Sequence, residues 1–118
     1  MARILLGDDS KSVTDTLKDQ LEIFEGHQVE TYATGEDLVA RATQGDYAGI
    51  ITDFDYNTNG LNGLDVIAAI REFDQTNPIY LFTGEVDAER KYGSTPGLTA
   101  VISKSDGFDQ VSKLFEDS

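Results

Sequence analysis

Short apolar runs alternate with longer amphipathic stretches along the chain, which predicts strand and helix in turn rather than two segregated blocks. Arg3 to Gly7 reads as a first strand. Ser10 is placed to cap a helix from Lys11 to Glu25, with Val13, Leu17, Leu21 and Phe24 as its buried stripe. Gly26-His27 closes that helix, Gln28 to Ala33 alternates as a second strand, and Thr34 caps a second helix ending near Gln44. Tyr47 to Thr52 is the third strand. An Asn/Gly-rich loop from Asp55 to Asn62 follows, and Leu64, Ile67, Ala68 and Ile70 mark a third helix. Ile79 to Phe82 makes a fourth strand, Val86 to Tyr92 a short helix, Thr99 to Ser103 a fifth strand, and Phe108 to Glu116 the last helix. Gly49-Ile50-Ile51 and Tyr80-Leu81-Phe82 lack strict alternation, as strands of a parallel sheet covered on both faces do.

The 118 residues suit one domain, and no linker or repeat divides them. A single unit over 1–118 is expected, without room for a separate output domain. Acidic residues outnumber basic ones by 22 to nine, for a net charge of -13, so a phosphate backbone would be repelled and direct nucleic-acid binding is not expected. The chain has no cysteine, which excludes disulfides, thiolate metal sites and a cysteine nucleophile. The first apolar run is too short for a signal peptide or a membrane span, and a soluble, cytoplasmic protein is expected.

In a parallel α/β sheet the ligand site lies beyond the carboxyl ends of the strands. The first strand ends in Asp8-Asp9, the third in Asp53, the fourth in Thr83 and the fifth in Lys104. Carboxylates converging there would raise one another's pKa and destabilise the fold unless a cation joined them. Oxygen donors without His or Cys favour Mg2+ or Mn2+, with room for a phosphate oxygen. Lys104 adds a compact positive charge.

These residues resemble the receiver domain of two-component signalling, of the chemotaxis-receiver kind, and the resemblance covers essentially the whole chain. The spacing agrees with the order: 44 residues from Asp9 to Asp53, 30 more to Thr83 and 21 more to Lys104. The resemblance implies a flavodoxin-like doubly wound sheet of five parallel strands in the order 2-1-3-4-5 with five helices. It implies that Asp53 accepts a phosphoryl group, that Asp9, Asp53 and the Asp55 carbonyl bind Mg2+ directly, and that Asp8 holds the ion through water. Thr83 and Lys104 then contact the phosphoryl group. The donor would be a histidine kinase, a histidine phosphotransfer protein or a small acyl phosphate, and the output a changed surface for a downstream protein. Asp55 and Glu85 correspond to positions that modulate loss of the phosphoryl group, and Gly84 to the small residue usual after the hydroxyl.

Three positions depart from the family pattern. Val101 stands where an aromatic usually buries its ring on activation, Ser105 replaces the proline after the lysine, and the loop Asp55 to Gly63 is longer than usual. That loop also imitates a calcium loop, with Asp55, Asn57, Asn59 and Gly60 at relative positions one, three, five and six, but position twelve is Val66 rather than a bidentate Glu. Its Asn and Gly residues are expected to form turns. Two other readings compete: a metal-dependent phosphohydrolase using Asp53-Phe54-Asp55, and a pseudo-receiver that binds partners without phosphorylation. His27 is expected at the surface, and Tyr32, Tyr47, Tyr56, Tyr80 and Tyr92 in core or rim packing.

Overall fold

The apolar runs form one parallel sheet in the order β2-β1-β3-β4-β5, where β1 is Arg3–Gly7, β2 Gln28–Tyr32, β3 Gly49–Asp53, β4 Ile79–Thr83 and β5 Ala100–Ser103. The structure is a computed structural model that describes residues 2–106 and 109–115. Five α-helices occur among them: α1 Lys11–Asp19, α2 Gly35–Ala42, α3 Gly63–Arg71, α4 Ala88–Tyr92 and α5 Asp109–Lys113. This is the flavodoxin-like order that the resemblance implies.

Alternation along the strands divides the core into two layers. Ile4, Leu6, Ile51, Tyr80 and Phe82 pack with Leu17 and Leu21 of the first helical segment and with Val111 of α5. Leu5, Ile50 and Ile79 pack on the other face with Leu38 of α2 and with Val66, Ile67 and Ile70 of α3. Local chemistry starts three of the helices: Ser10 Oγ accepts from the Val13 N–H, Thr34 Oγ1 accepts from the Asp37 N–H, and Asn62 and Asp65 form a reciprocal capping box. Register then brings the strand ends level. Gly7 pairs with Tyr32 and Thr52, Asp53 with Phe82, and Thr83 with Ser103.

Three expectations need correction. The first helix does not continue regularly to Glu25, because Gln20–Phe24 winds as a π-turn. The wider turn keeps Leu21 buried but carries Phe24 off the stripe, and Phe24 is 77% exposed. His27 is not at the surface: it is 6% exposed, its Nδ1 accepts the Ala2 N–H at 3.0 Å, and its ring meets the Phe115 edge. A buried histidine suits this turn because it supplies the acceptor that the N–H preceding β1 needs. The fourth helix begins at Ala88 rather than Val86, since Asp87 adopts a left-handed φ of 59°. Phe108 and Glu116, the expected ends of the last helix, lie outside the described residues. No helix among the described residues is long and apolar enough to cross a membrane.

Candidate functional site

Asp8 follows β1 directly, and the residue is 3% exposed. One oxygen accepts the Ser10 N–H at 2.9 Å, which ties the acid to the start of α1, and the other lies 3.0 Å from Lys104 Nζ. Asp53 ends β3, where Oδ1 accepts both the Phe54 N–H at 2.8 Å and Lys104 Nζ at 3.2 Å. Lys104 opens a 3-10 turn after β5 and passes over the Phe82 ring, 5.5 Å from its centroid. One ammonium therefore bridges two buried acids.

Burial, and after it the charge of Asp8, pushes the Asp53 carboxyl up to about 6, although Lys104 and the Phe54 N–H pull the other way. For Lys104, burial opposes the charged form, but the Asp8 hydrogen bond and the charges of Asp53 and Asp8 raise its pKa overall. Asp9 is exposed, yet Asp8, Asp9 and Asp53 each offer a carboxylate oxygen within 4.8 Å of the others. Three carboxylates against one lysine leave a surplus of negative charge. The all-oxygen donor set fits a hard divalent cation that would neutralise it.

Thr83 is buried at the end of β4, and its Oγ1 accepts the Glu85 N–H at 3.2 Å. Gly84 is exposed, and a Cβ added there would meet the Lys104 stem only at an ordinary contact distance of 3.9 Å. Glu85 and Asp55 point elsewhere. The Glu85 carboxylate accepts from Lys91 Nζ at 2.9 Å and Tyr92 Oη at 2.7 Å, both on α4. Asp55 Oδ1 accepts the Asn57 N–H at 2.8 Å, so its side chain serves a turn. Val101 is half-buried and leaves an open groove of about 460 Å³, lined also by Gly84, Glu85, Ser103 and Ser105.

Several contacts are not evident from the sequence. Asn57, in the left-handed region at φ 55°, donates through Nδ2 to Asp9 Oδ2 at 2.7 Å and so folds the long loop back over the acids. Tyr56 is buried beneath that loop, and its hydroxyl meets Thr52 Oγ1 at 2.7 Å. Gly7 makes room for it: a Cβ there would overlap the Tyr56 hydroxyl. Gly63 likewise lets the loop close, since its N–H donates to Phe54 O at 2.6 Å and a Cβ would collide with the Asp53 carbonyl. The calcium-loop resemblance ends in the core, where Val66 is buried under the loop. Ser105 is placed without a proline: its N–H donates to Ser103 Oγ at 3.2 Å.

The model of the response regulator receiver domain matches residues 4–116. The chain belongs to the response-regulator receiver family. Among solved structures, this receiver is similar to response regulator TrrA of Thermotoga maritima in complex with Mg2+ and BeF, at 29% identity and a TM-score of 0.83 over 96% of this chain and 95% of that one. It is also similar to the chemotaxis response regulator CheY4 of Vibrio cholerae, at 31% identity and a TM-score of 0.78 over 88% and 87%. TrrA in complex with the histidine kinase ThkA aligns at 26% identity and a TM-score of 0.76 over 96% and 94%. No curated protein matches the chain. As a receiver, it is a component of two-component signalling.

Proposed function

We propose that this receiver takes a phosphoryl group on Asp53 from a histidine kinase or a histidine phosphotransfer protein and thereby switches a protein-binding surface. The observation that carries the reading is the Lys104 ammonium held between Asp8 and Asp53 beside a third acid, Asp9. The complexes of TrrA with Mg2+ and BeF and with ThkA support the same chemistry and the same class of donor.

An Asp53 oxygen attacks the phosphorus of the donor. A P–O bond forms as the donor's P–N bond, or the P–O bond of a small acyl phosphate, breaks and the leaving group departs with its electron pair. Because the Phe54 N–H and Lys104 both contact Oδ1, Oδ2 is the oxygen suited to attack. Asp8, Asp9, Asp53 and the Asp55 carbonyl would hold Mg2+, with Mn2+ an alternative for the same oxygen donors. When bound, the ion offsets charge on the phosphoryl oxygens. Lys104 neutralises one phosphoryl oxygen, and the Thr83 hydroxyl donates to another. Asp55 Oδ1 is already engaged by the Asn57 N–H in a turn, which favours the receiver reading over a phosphohydrolase of the Asp-x-Asp type.

Intact-mass measurement after incubation with Mg2+ and acetyl phosphate tests the assignment. The expected result is one added phosphoryl group on the protein and none on Asp53→Asn. Equal labelling of both, or no labelling of the unaltered protein, would remove Asp53 from this role.

A further inference from the structure

Val101 cannot report phosphorylation by rotating an aromatic ring, yet an aromatic ring does stand between the reacting residues and the short helix α4. Tyr92, the last residue of α4, stacks on Phe54 with centroids 4.8 Å apart and planes 25° from parallel. Phe54 is the neighbour of Asp53. The same tyrosine donates through Oη to Glu85 Oε2 at 2.7 Å, and the Glu85 N–H is the group that Thr83 Oγ1 accepts at 3.2 Å. Tyr92 thus touches both segments that leave the site, one following the acceptor acid and one following the hydroxyl.

We propose that Tyr92 is the residue through which the phosphorylation state of Asp53 reaches α4. The inference rests on the assignment of Asp53 as the phosphoacceptor. Both links are weakened by that modification. A phosphoryl group on Asp53 changes the carboxylate that accepts the Phe54 N–H, and so disturbs the backbone that carries the Phe54 ring. For Thr83 to donate to the phosphoryl group, its oxygen must turn toward Asp53 and away from the Glu85 N–H. The 83–85 turn then relaxes and withdraws the Glu85 carboxylate from Tyr92.

The receiving element is weakly held. At five residues α4 is too short to be stable alone, and it starts from Asp87 in a left-handed conformation without a side-chain cap. Ala88 is its buried residue, and Val86 just before it is 78% exposed. With so little buried surface, the Tyr92 stack and the bonds of Tyr92 and Lys91 to Glu85 are a large share of what positions its last turn. The open groove beside Val101 gives the 84–89 segment space to move into. Tyr92 is therefore a positioning residue that holds the resting arrangement, and its loss favours the activated one.

Amide NMR during titration with beryllofluoride in the presence of Mg2+ tests this on the full chain, with Tyr92→Phe and Tyr92→Leu as variants. In the unaltered protein, signals of Thr83, Lys104 and Ala88–Tyr92 are expected to shift together. Tyr92→Phe keeps the stack but loses the Glu85 bond, and should bind beryllofluoride about fivefold more tightly, the factor that one hydrogen bond supplies. Tyr92→Leu should keep the shifts at Thr83 and Lys104 and lose those of α4. An α4 response of full size in Tyr92→Leu, or unchanged affinity in Tyr92→Phe, overturns the proposal. Absence of shifts at Thr83 and Lys104 in the unaltered protein instead overturns the assignment of Asp53 itself.

Discussion

The Lys104 ammonium lies 3.2 Å from Asp53 Oδ1, joining the end of β5 to the end of β3 across β4. Asp8 shares the same ammonium at 3.0 Å, so one cation serves two acids of which one is more than the charge balance allows. The site is a place of stored repulsion in the absence of metal. Asp8→Asn should relieve it, stabilising the metal-free protein by about 1 kcal/mol in urea unfolding. The same change should weaken Mg2+ binding, so that added Mg2+ stabilises the variant less than the unaltered protein.

The raised pKa of Asp53 fixes a sign for pH dependence. Its folded value of about 6 lies above the ordinary 3.8, so the stability it contributes is complete below 3.8 and is lost as pH rises through 6. His27 runs the other way: burial lowers its pKa, and its contribution is present above 6.5 and lost as pH falls through the lower folded value. For Asp74, burial works to raise the carboxyl, but the Tyr47 hydroxyl and the Thr76 and Asn77 donors outweigh it, so its contribution is lost only in strong acid. Comparing the metal-free protein with Asp53→Asn cancels the last two. The variant's stability relative to the unaltered protein should rise by about 1–3 kcal/mol between pH 4 and pH 7, read from urea midpoints. A constant difference would contradict the raised pKa.

Removing Lys104 should act in the opposite direction to removing Asp8. Lys104→Ala leaves the buried Asp8 and Asp53 facing each other without a counter-charge. At pH 7 without metal, a loss of about 1–3 kcal/mol is expected, less than for a fully buried pair because the lysine is 25% exposed. Chemical denaturation with and without Mg2+ checks this, and Mg2+ should restore part of the loss. Labelling by acetyl phosphate should also slow, because no ammonium then meets the phosphoryl oxygens.

The gathering of polar strand ends at one edge was legible in the sequence because parallel strands between helices bring their carboxyl ends together whatever the details of packing. Asp8, Asp9, Asp53, Thr83 and Lys104 needed only the order of elements to be placed together. Phe24 and His27 needed more. The fate of Phe24 turns on a π-turn that apolar spacing does not encode, and that of His27 on a hydrogen bond from the Ala2 N–H, 25 residues away. Local pattern makes Asn57 a turn former and Tyr92 a packing residue, and it stops there. Their partners, Asp9 and the Phe54–Glu85 pair, lie far away in sequence or on another element, and nothing in the neighbouring residues names them.

Gly7 and Tyr56 are such a distant pair, and their coupling can be measured. Tyr56→Phe removes a buried hydroxyl that bonds Thr52 Oγ1, while Thr52 still donates to the Asp53 carbonyl at 2.9 Å. The expected cost is about 1 kcal/mol. Gly7→Ala places a methyl against the Tyr56 hydroxyl and the Leu38 side chain within a closely packed layer, and should cost about 1–3 kcal/mol. If the hydroxyl is the principal obstacle, the double variant is less destabilised than the sum of the two single ones, because a phenyl ring at position 56 no longer presents the atom that the new methyl meets. Leu38 keeps that rescue partial. Urea unfolding of the four proteins closes the cycle, and strictly additive losses would show that β1 and the loop over the acids do not share this contact.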